Sequence, residues 1–220
     1  MVRSWVEDSG VHVFVVDGDA LDEAEETVRR MVAEQGITGP VVLGANADDG
    51  EHEREAMLLG RGFRRAFTMV DMRRDAGPVP QKPLPEGFRT RTVTVEDAAE
   101  LWRLAGRAWA GREFISLPSE DRLRAWLRRS DLSTFEVVTS GDRIAGFVAV
   151  VGDEIDDVLV DPDFQRRGLA SVLLSRALTR LGGAAWLRTE AHDPSGARTL
   201  YERFGFRVTA SHHRYRRALS

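Results

Sequence analysis

Cysteine is absent from the 220 residues. That excludes disulfides, thiolate metal sites and a cysteine nucleophile, and it fits a cytoplasmic chain. Also absent is any apolar run near the roughly 18 to 20 residues a bilayer-spanning helix needs, so no membrane partner is expected. The amino-terminal stretch carries Glu7 and Asp8 and lacks the apolar core of a signal peptide. Neither charge sign dominates: 31 Lys and Arg against 35 Asp and Glu leave a formal net charge of −4, which argues against nucleic acid as a bulk partner. His12, His52, His192, His212 and His213 show no metal-ligand spacing, and adjacent residues such as His212 and His213 point to opposite faces of a strand. No metal is expected.

What is present is an ordinary globular composition, 42% hydrophobic and 30% charged, in a length that holds one large or two small domains. Val11–Val16 reads as a buried strand. Asp19 then caps a helix over about Ala20–Gln35, acidic in its first turns and with Arg29 and Arg30 near its end. A turn at 36–40, a short strand at Pro40–Gly44, a helix over about Glu51–Leu59, then Gly62-Phe63 and a strand to about Arg73 follow. Residues 75–87 hold four prolines and read as a semi-rigid linker, so the boundaries are a first unit at 1–74 and a second at 88–220.

The second unit opens with a strand at Phe88–Thr94. Thr94 and Asp97 make a capping-box variant for a helix to about Trp109. Ser119–Arg129 is a helix with Leu123, Trp126 and Leu127 on one face. Phe135–Thr139 and Ile144–Val151 form a hairpin. A strand from Glu154 to Val160 turns at Asp161-Pro162-Asp163 into a helix carrying Val172, Leu173, Leu174, Ala177 and Leu178 at helical spacing. Strand, helix and strand follow at Ala184–Glu190, Ser195–Phe204 and Arg207–Arg217. The class is α/β, or α+β, with a mixed sheet.

Between the Glu154–Val160 strand and its helix lies Gln165-Arg166-Arg167-Gly168-Leu169-Ala170-Ser171. A glycine there lets backbone approach a ligand closely. The first-turn N–H groups have no intrahelical partner and face outward with the positive helix end, which suits a pyrophosphate. With Glu154 upstream and Leu200-Tyr201-Glu202-Arg203-Phe204-Gly205-Phe206 downstream, this ordered set resembles the GNAT acetyltransferase superfamily, whose signature is a Gln/Arg-x-x-Gly-x-Gly/Ala loop.

The resemblance spans roughly residues 88–218 and implies a GNAT fold, β-α-α-β-β-β-α-β-α-β, with acetyl-CoA as cosubstrate and a primary amine of a small molecule or peptide as acceptor. It implies that Gln165, Arg166, Arg167, Gly168, Leu169, Ala170 and Ser171 hold the pyrophosphate. The backbone of Leu159 and Val160 would meet the pantetheine amides. Arg198 either touches a nucleotide phosphate or is a solvated surface arginine. An amine must lose a proton before attack (about 10.4 for a lysine-like group), and a departing thiolate is helped by an acid. The resemblance assigns the first task to Glu154, with Asp156 on the same face if no bulge intervenes; either carboxylate could instead attract a cationic acceptor, which makes Asp156 a substrate-binding candidate, and Glu154, Asp156 and Asp157 equally describe a solvated strand end. It assigns the second to Tyr201, for which a core role is the alternative. His192 is a further candidate base. The resemblance places acceptor contacts in the segment holding Trp109 and Phe114, beside Glu113, where helix-packing aromatics are the alternative. Many relatives have Asn where this chain has Pro194, flanked by Asp193 and Ser195, which are candidate helix caps. Without a cysteine, transfer by direct attack is expected. A binding module that keeps acyl-CoA affinity without turnover is the alternative.

A shift of 143 residues places Gly62-Phe63-Arg64 on Gly205-Phe206-Arg207 and Arg73-Arg74 on Arg216-Arg217. Residues 1–74 therefore resemble the back half of a second, degenerate GNAT unit. Asp19, Asp22, Glu23, Glu25 and Glu26 would repel a pyrophosphate there, and Leu58 occupies the position of Tyr201. Two joined units are also similar to tandem acetyltransferases of the mycothiol synthase type, a reading the truncated first copy does not carry. Acceptor identity and the choice of monomer or homodimer stay open.

Overall fold

Runs of β-branched residues make strands here, and runs with apolar residues three and four apart make helices. The computed structural model describes residues 2–7, 10–16, 18, 20–111, 117–192 and 195–219. The first half contributes β1 (Val2–Val6), β2 (His12–Val16), α1 (Leu21–Glu34), β3 (Val41–Asp48), α2 (His52–Gly60) and β4 (Arg64–Arg74). The second contributes β5 (Arg89–Thr92), α3 (Ala98–Ala108), α4 (Glu120–Arg129), β6 (Glu136–Ser140), β7 (Arg143–Val151), β8 (Glu154–Val160), α5 (Leu169–Leu181), β9 (Ala185–Glu190), α6 (Ala197–Arg203) and β10 (Arg207–Ala218). β1 is an addition to the sequence reading, and β3 runs on to Asp48. Ala20 holds the cap position of α1 and makes no side-chain cap bond; Asp19 lies outside the described residues. The α3 entry behaves as expected, with the Asp97 carboxylate reaching back to the Thr94 N–H at 2.8 Å.

All ten strands form one mixed sheet in the order β1-β2-β3-β10-β4-β9-β8-β7-β6-β5, parallel only at β2–β3 and β8–β9. The order β1-β2-α1-β3-α2-β4 recurs as β7-β8-α5-β9-α6-β10. The last strands of the two series are exchanged: β10 lies between β3 and β4, and β4 lies between β10 and β9. The halves therefore share their central strands.

Helices α5 and α6 pack on Val70, Met72, Ala185 and Leu187, while α1 and α2 pack on Phe14, Leu43, Ala45 and Tyr215. Register puts both pairs on one face: Ala47, His213 and Thr68 are cross-strand partners, and Thr68 shares its face with Val70 and Met72. The opposite face is covered at one end by α3 and α4 over Val137, Phe147, Ala149 and Leu159. Residues 75–87 form neither strand nor helix. Buried Arg74 gathers them, donating to the carbonyls of Phe204 (2.8 Å), Gly77 (2.9 Å) and Pro78 (2.7 Å). Ser175 of α5 donates to the Pro80 carbonyl at 2.9 Å.

Candidate active site

The turn after β8 is set by Asp161, whose side chain is fully buried. One carboxylate oxygen accepts from the Asp163 N–H at 3.0 Å; the other accepts from Arg107 of α3 at 2.7 and 2.9 Å and from Arg143 of β7 at 2.8 Å. Burial alone would raise this carboxyl, but the hydrogen bonds outweigh it and hold it below the ordinary range. Arg143 also bonds Asp163 at 2.7 Å and lies over the Phe164 ring, as does Arg167. The chain past this anchor bends back through Arg166, at φ 62°, and Gly168, at φ 83°, into α5. Among the described residues, the N–H groups of 166–171 donate to no backbone carbonyl. Gln165, Arg166, Arg167 and Gly168 are exposed, Leu169 is buried as the anchor of α5, and Ala170 and Ser171 are half-buried. A Cβ at Gly168 would meet no protein atom within 4 Å, so its backbone conformation, not packing, demands glycine.

This ring of donors opens beside a gap in the sheet. β8 and β9 pair only at Glu154 and Trp186, and beyond that point they part. The Asp161 N–H donates to Ala145 of β7, so alternation turns the N–H and C=O of Val158 and Val160 toward the gap. The Leu159 side chain is buried against α3 and α4, and its N–H faces β7. Gln165 Nε2 reaches the Val160 carbonyl at 3.4 Å.

Simple strand parity does not hold in β8. The β7–β8 register shifts between the pairs Val150–Ile155 and Ala149–Asp157, which leaves Asp156 as the extra residue of a bulge. The bulge brings both Asp156 and Asp157 to a cavity of about 530 Å³ under α3 and α4. Its walls include Leu101 of α3 and Trp109 at the carboxyl cap of that helix, Leu123 and Trp126 of α4, Phe147 of β7 and Leu159 of β8. Glu154 does not line it. Burial pushes up the carboxyls of Glu154 (helped by Asp156) and of Asp156. Asp157 keeps some surface toward the cavity but is crowded on nearly every side; burial, with Asp156 adding repulsion, moves its carboxyl up to about 8.

Tyr201 lies in α6 with its ring edge-on to Phe206 at 6.0 Å and 8% of its surface exposed. Arg198 pairs with Glu202 at 2.9 Å and donates to the Ala191 carbonyl at 3.4 Å, so it stands at the exposed end of α6. Ser195 Oγ accepts from the Ala197 N–H at 3.3 Å. Glu113, Phe114, Asp193 and Pro194 lie outside the described residues. His192 is exposed. His212 bridges Asp48 at 2.7 Å and Asp71 at 3.1 Å, whereas His213 meets Thr68 at 3.0 Å and Asp49 at 2.8 Å on the other face. Among the described residues no group of three or more His, Cys, Asp or Glu is placed to hold a metal ion, and no helix is long and apolar enough to cross a membrane. Sequence reasoning missed Arg107, Arg143 and the anchoring part of Asp161, whose only signal was an Asp-Pro turn. It gave Asp157 no role beyond solvation.

Residues 93–219 match the family described as the acetyltransferase (GNAT) domain. The chain belongs to the GNAT acetyltransferase family. A curated relative, mycothiol acetyltransferase of Geodermatophilus obscurus, is 36% identical over 71% of this chain and 58% of its own length. The chain thus spans about three-fifths of the length of that relative. Among solved structures, a GCN5-related N-acetyltransferase from Sphaerobacter thermophilus superposes with a TM-score of 0.74 at 16% identity, over 99% of this chain and 76% of its own. A tandem GNAT protein from the clavulanic acid biosynthesis pathway gives 0.64 at 13%, over 94% and 75%. The fold is that of the GNAT N-acetyltransferases, and the first half is part of it.

Proposed function

We propose that the chain transfers an acetyl group from acetyl-CoA directly to a primary amine. The observation that carries this reading is the run of unpartnered N–H groups from Arg166 to Ser171 at the head of α5, set beside the gap between β8 and β9. Fixed donors at a helix N-terminus suit a pyrophosphate, and Arg166 and Arg167 add mobile positive charge. The open edge of β8 at Val160 offers a donor and an acceptor to an amide-bearing arm. These residues fit acetyl-CoA, which supplies its acetyl group as an activated thioester.

The chain's own residues then have three tasks. Loop donors and the β8 edge hold the cosubstrate in register with the gap. A carboxylate of the β8 series, Glu154 through water in the first place and Asp156 after it, takes the proton the acceptor nitrogen sheds as its C–N bond forms and the C–S bond breaks. Tyr201 returns a proton to the departing sulfur. The raised pKa of Glu154 supports a base role, because a carboxylate nearer neutral accepts protons more readily. Arg198 contributes positive charge near a nucleotide phosphate. The similarity to mycothiol acetyltransferase supports a small-molecule acceptor.

The burial of Tyr201 favours a second reading, a module that binds acyl-CoA without turnover. One titration separates them. Calorimetry with acetyl-CoA, followed in the same cell by a pooled-amine screen for free thiol, should give binding and thiol release. Binding without release from any pool would support the module; no binding would overturn both.

A further inference from the structure

We infer that the acceptor is a primary monoamine carried on an apolar group of aromatic size, seated in the cavity under α3 and α4 with its ammonium against Asp156 and Asp157. The inference rests on the acetyl-transfer reading and names the acceptor class for it. The cavity, about 530 Å³, has the volume of a small-molecule site. Its walls are largely Leu101, Trp109, Leu123, Trp126, Phe147 and Leu159, aliphatic and aromatic surface in which the two indole N–H groups are the side-chain hydrogen-bond donors. Its negative charge is concentrated on β8, where the bulge turns two consecutive carboxylates to the same side. Exposed Arg122 and Arg129 of α4 border it on the solvent side.

This distribution selects in three ways. An ammonium is drawn past the arginines to Asp156 and Asp157, the acids that line the cavity among the described residues, on the strand that edges the gap. A hydrophobic body gains by leaving water for the aromatic walls. A polyhydroxylated amine would strip several hydroxyls of water with only two indole N–H groups and the rim arginines to receive them, and a diamine would leave its second charge beside Arg122 and Arg129.

The test uses the full chain and the fluorescence of its tryptophans, two of which wall the cavity. Without acetyl-CoA, phenethylamine should bind with a fluorescence change, while glucosamine and spermidine should not. With acetyl-CoA, thiol release should favour phenethylamine by a kcat/KM ratio of at least about 100 over either. At about pH 9, above the raised Asp157 pKa, Asp157→Asn should weaken phenethylamine about tenfold or more and leave its neutral analogue 2-phenylethanol unaffected. If that variant fails to fold, Leu123→Trp, which narrows the cavity from its outer edge, should weaken both ligands. Glucosamine or spermidine matching phenethylamine, or Asp157→Asn weakening amine and alcohol alike, would overturn the proposal. Fluorescence does not depend on the cosubstrate. Phenethylamine binding without acetyl-CoA binding would sink the acetyl-transfer reading and leave the ligand class standing; turnover of other amines but not this one would sink the ligand class alone.

Discussion

The two halves run the same series of elements to opposite ends. In the first, β2 and β3 pair at four successive positions, from His12–Val41 to Val15–Gly44. Gly44 lies so close beneath Val15 that a Cβ there would come within 2.9 Å of a Val15 methyl carbon. In the second, the matching strands β8 and β9 touch at one pair and part. The helix linking the closed pair has Asp22 and Glu23 in its first turn; the helix linking the open pair opens with free N–H groups and no acid there. Architecture alone therefore does not make the site. On the proposed reading, a gap between two parallel strands with an uncompensated helix N-terminus beside it does.

The sharpest way to test this contrast is to place the same charge at the same step of each half. Gly168→Asp forces a side chain into positive φ and sets a carboxylate among the donors, so acetyl-CoA affinity should fall by about 100-fold or more in calorimetry. Gly18, at φ 95°, follows β2 with the same open space around it. Gly18→Asp should leave acetyl-CoA affinity unchanged. Equal losses would mean that both halves bind, and the contrast between a working and a closed cleft would fail.

A comparable effect on rate, without one on binding, is expected at Tyr201, whose counterpart in the first half is Leu58. Tyr201→Phe keeps the ring packed against Phe206 and removes only the hydroxyl, so kcat should fall on the order of 100-fold while acetyl-CoA affinity holds. An unchanged kcat would return Tyr201 to the core and strengthen the binding-module reading.

A smaller and pH-dependent effect belongs to Asp157. Its folded-state pKa, about 8, is raised above the ordinary carboxylate value. A raised acid binds its proton more tightly when folded than when unfolded, so its ionisation opposes folding: stability falls as pH climbs from about 4 and levels off above about 8. Asp157→Asn should flatten that part of a Tm-against-pH curve. Acceptor affinity should run the other way in the native chain, rising through pH 8 as the carboxylate forms, and the variant should lack the rise. A parallel pH response in the two proteins would remove Asp157 from the acceptor site.

Much of this was legible in the sequence, for a physical reason in each case. Helical spacing of Val172, Leu173 and Leu174 and the β-branched runs at Val11–Val16 and Glu154–Val160 fix elements locally, and the shift from Gly62-Phe63 to Gly205-Phe206 exposed the repeated series. The glycine before α5 announced the donor loop because few other residues tolerate its φ. Long-range pairing decided the rest. The exchange of β4 and β10 has no local signature. The bulge at Asp156 reversed the parity argument for the β8 acids, since one extra residue turns a strand's faces over. Arg107 and Arg143 are ordinary arginines in sequence and become the clamp on Asp161 only when α3 and β7 meet the loop.

The exchange supplies the last and smallest test. Tyr215 belongs to β10, the final strand of the second half, yet its ring is buried in the core of the first. Its hydroxyl donates to Glu55 of α2 at 2.6 Å, and Arg65 of β4 lies within 3.4 Å of the same oxygen. Tyr215→Phe keeps the ring and deletes a bond to a charged acceptor, a change of about 1.5 kcal/mol. In a chain of this length that lowers Tm by a few degrees. Because β10 is a central strand of both halves, the whole protein should still melt in one transition, moved down as a unit, with acetyl-CoA affinity unaltered. Two transitions, only the first of them shifted, would show that the halves unfold separately and that the shared strands do not couple the closed cleft to the open one.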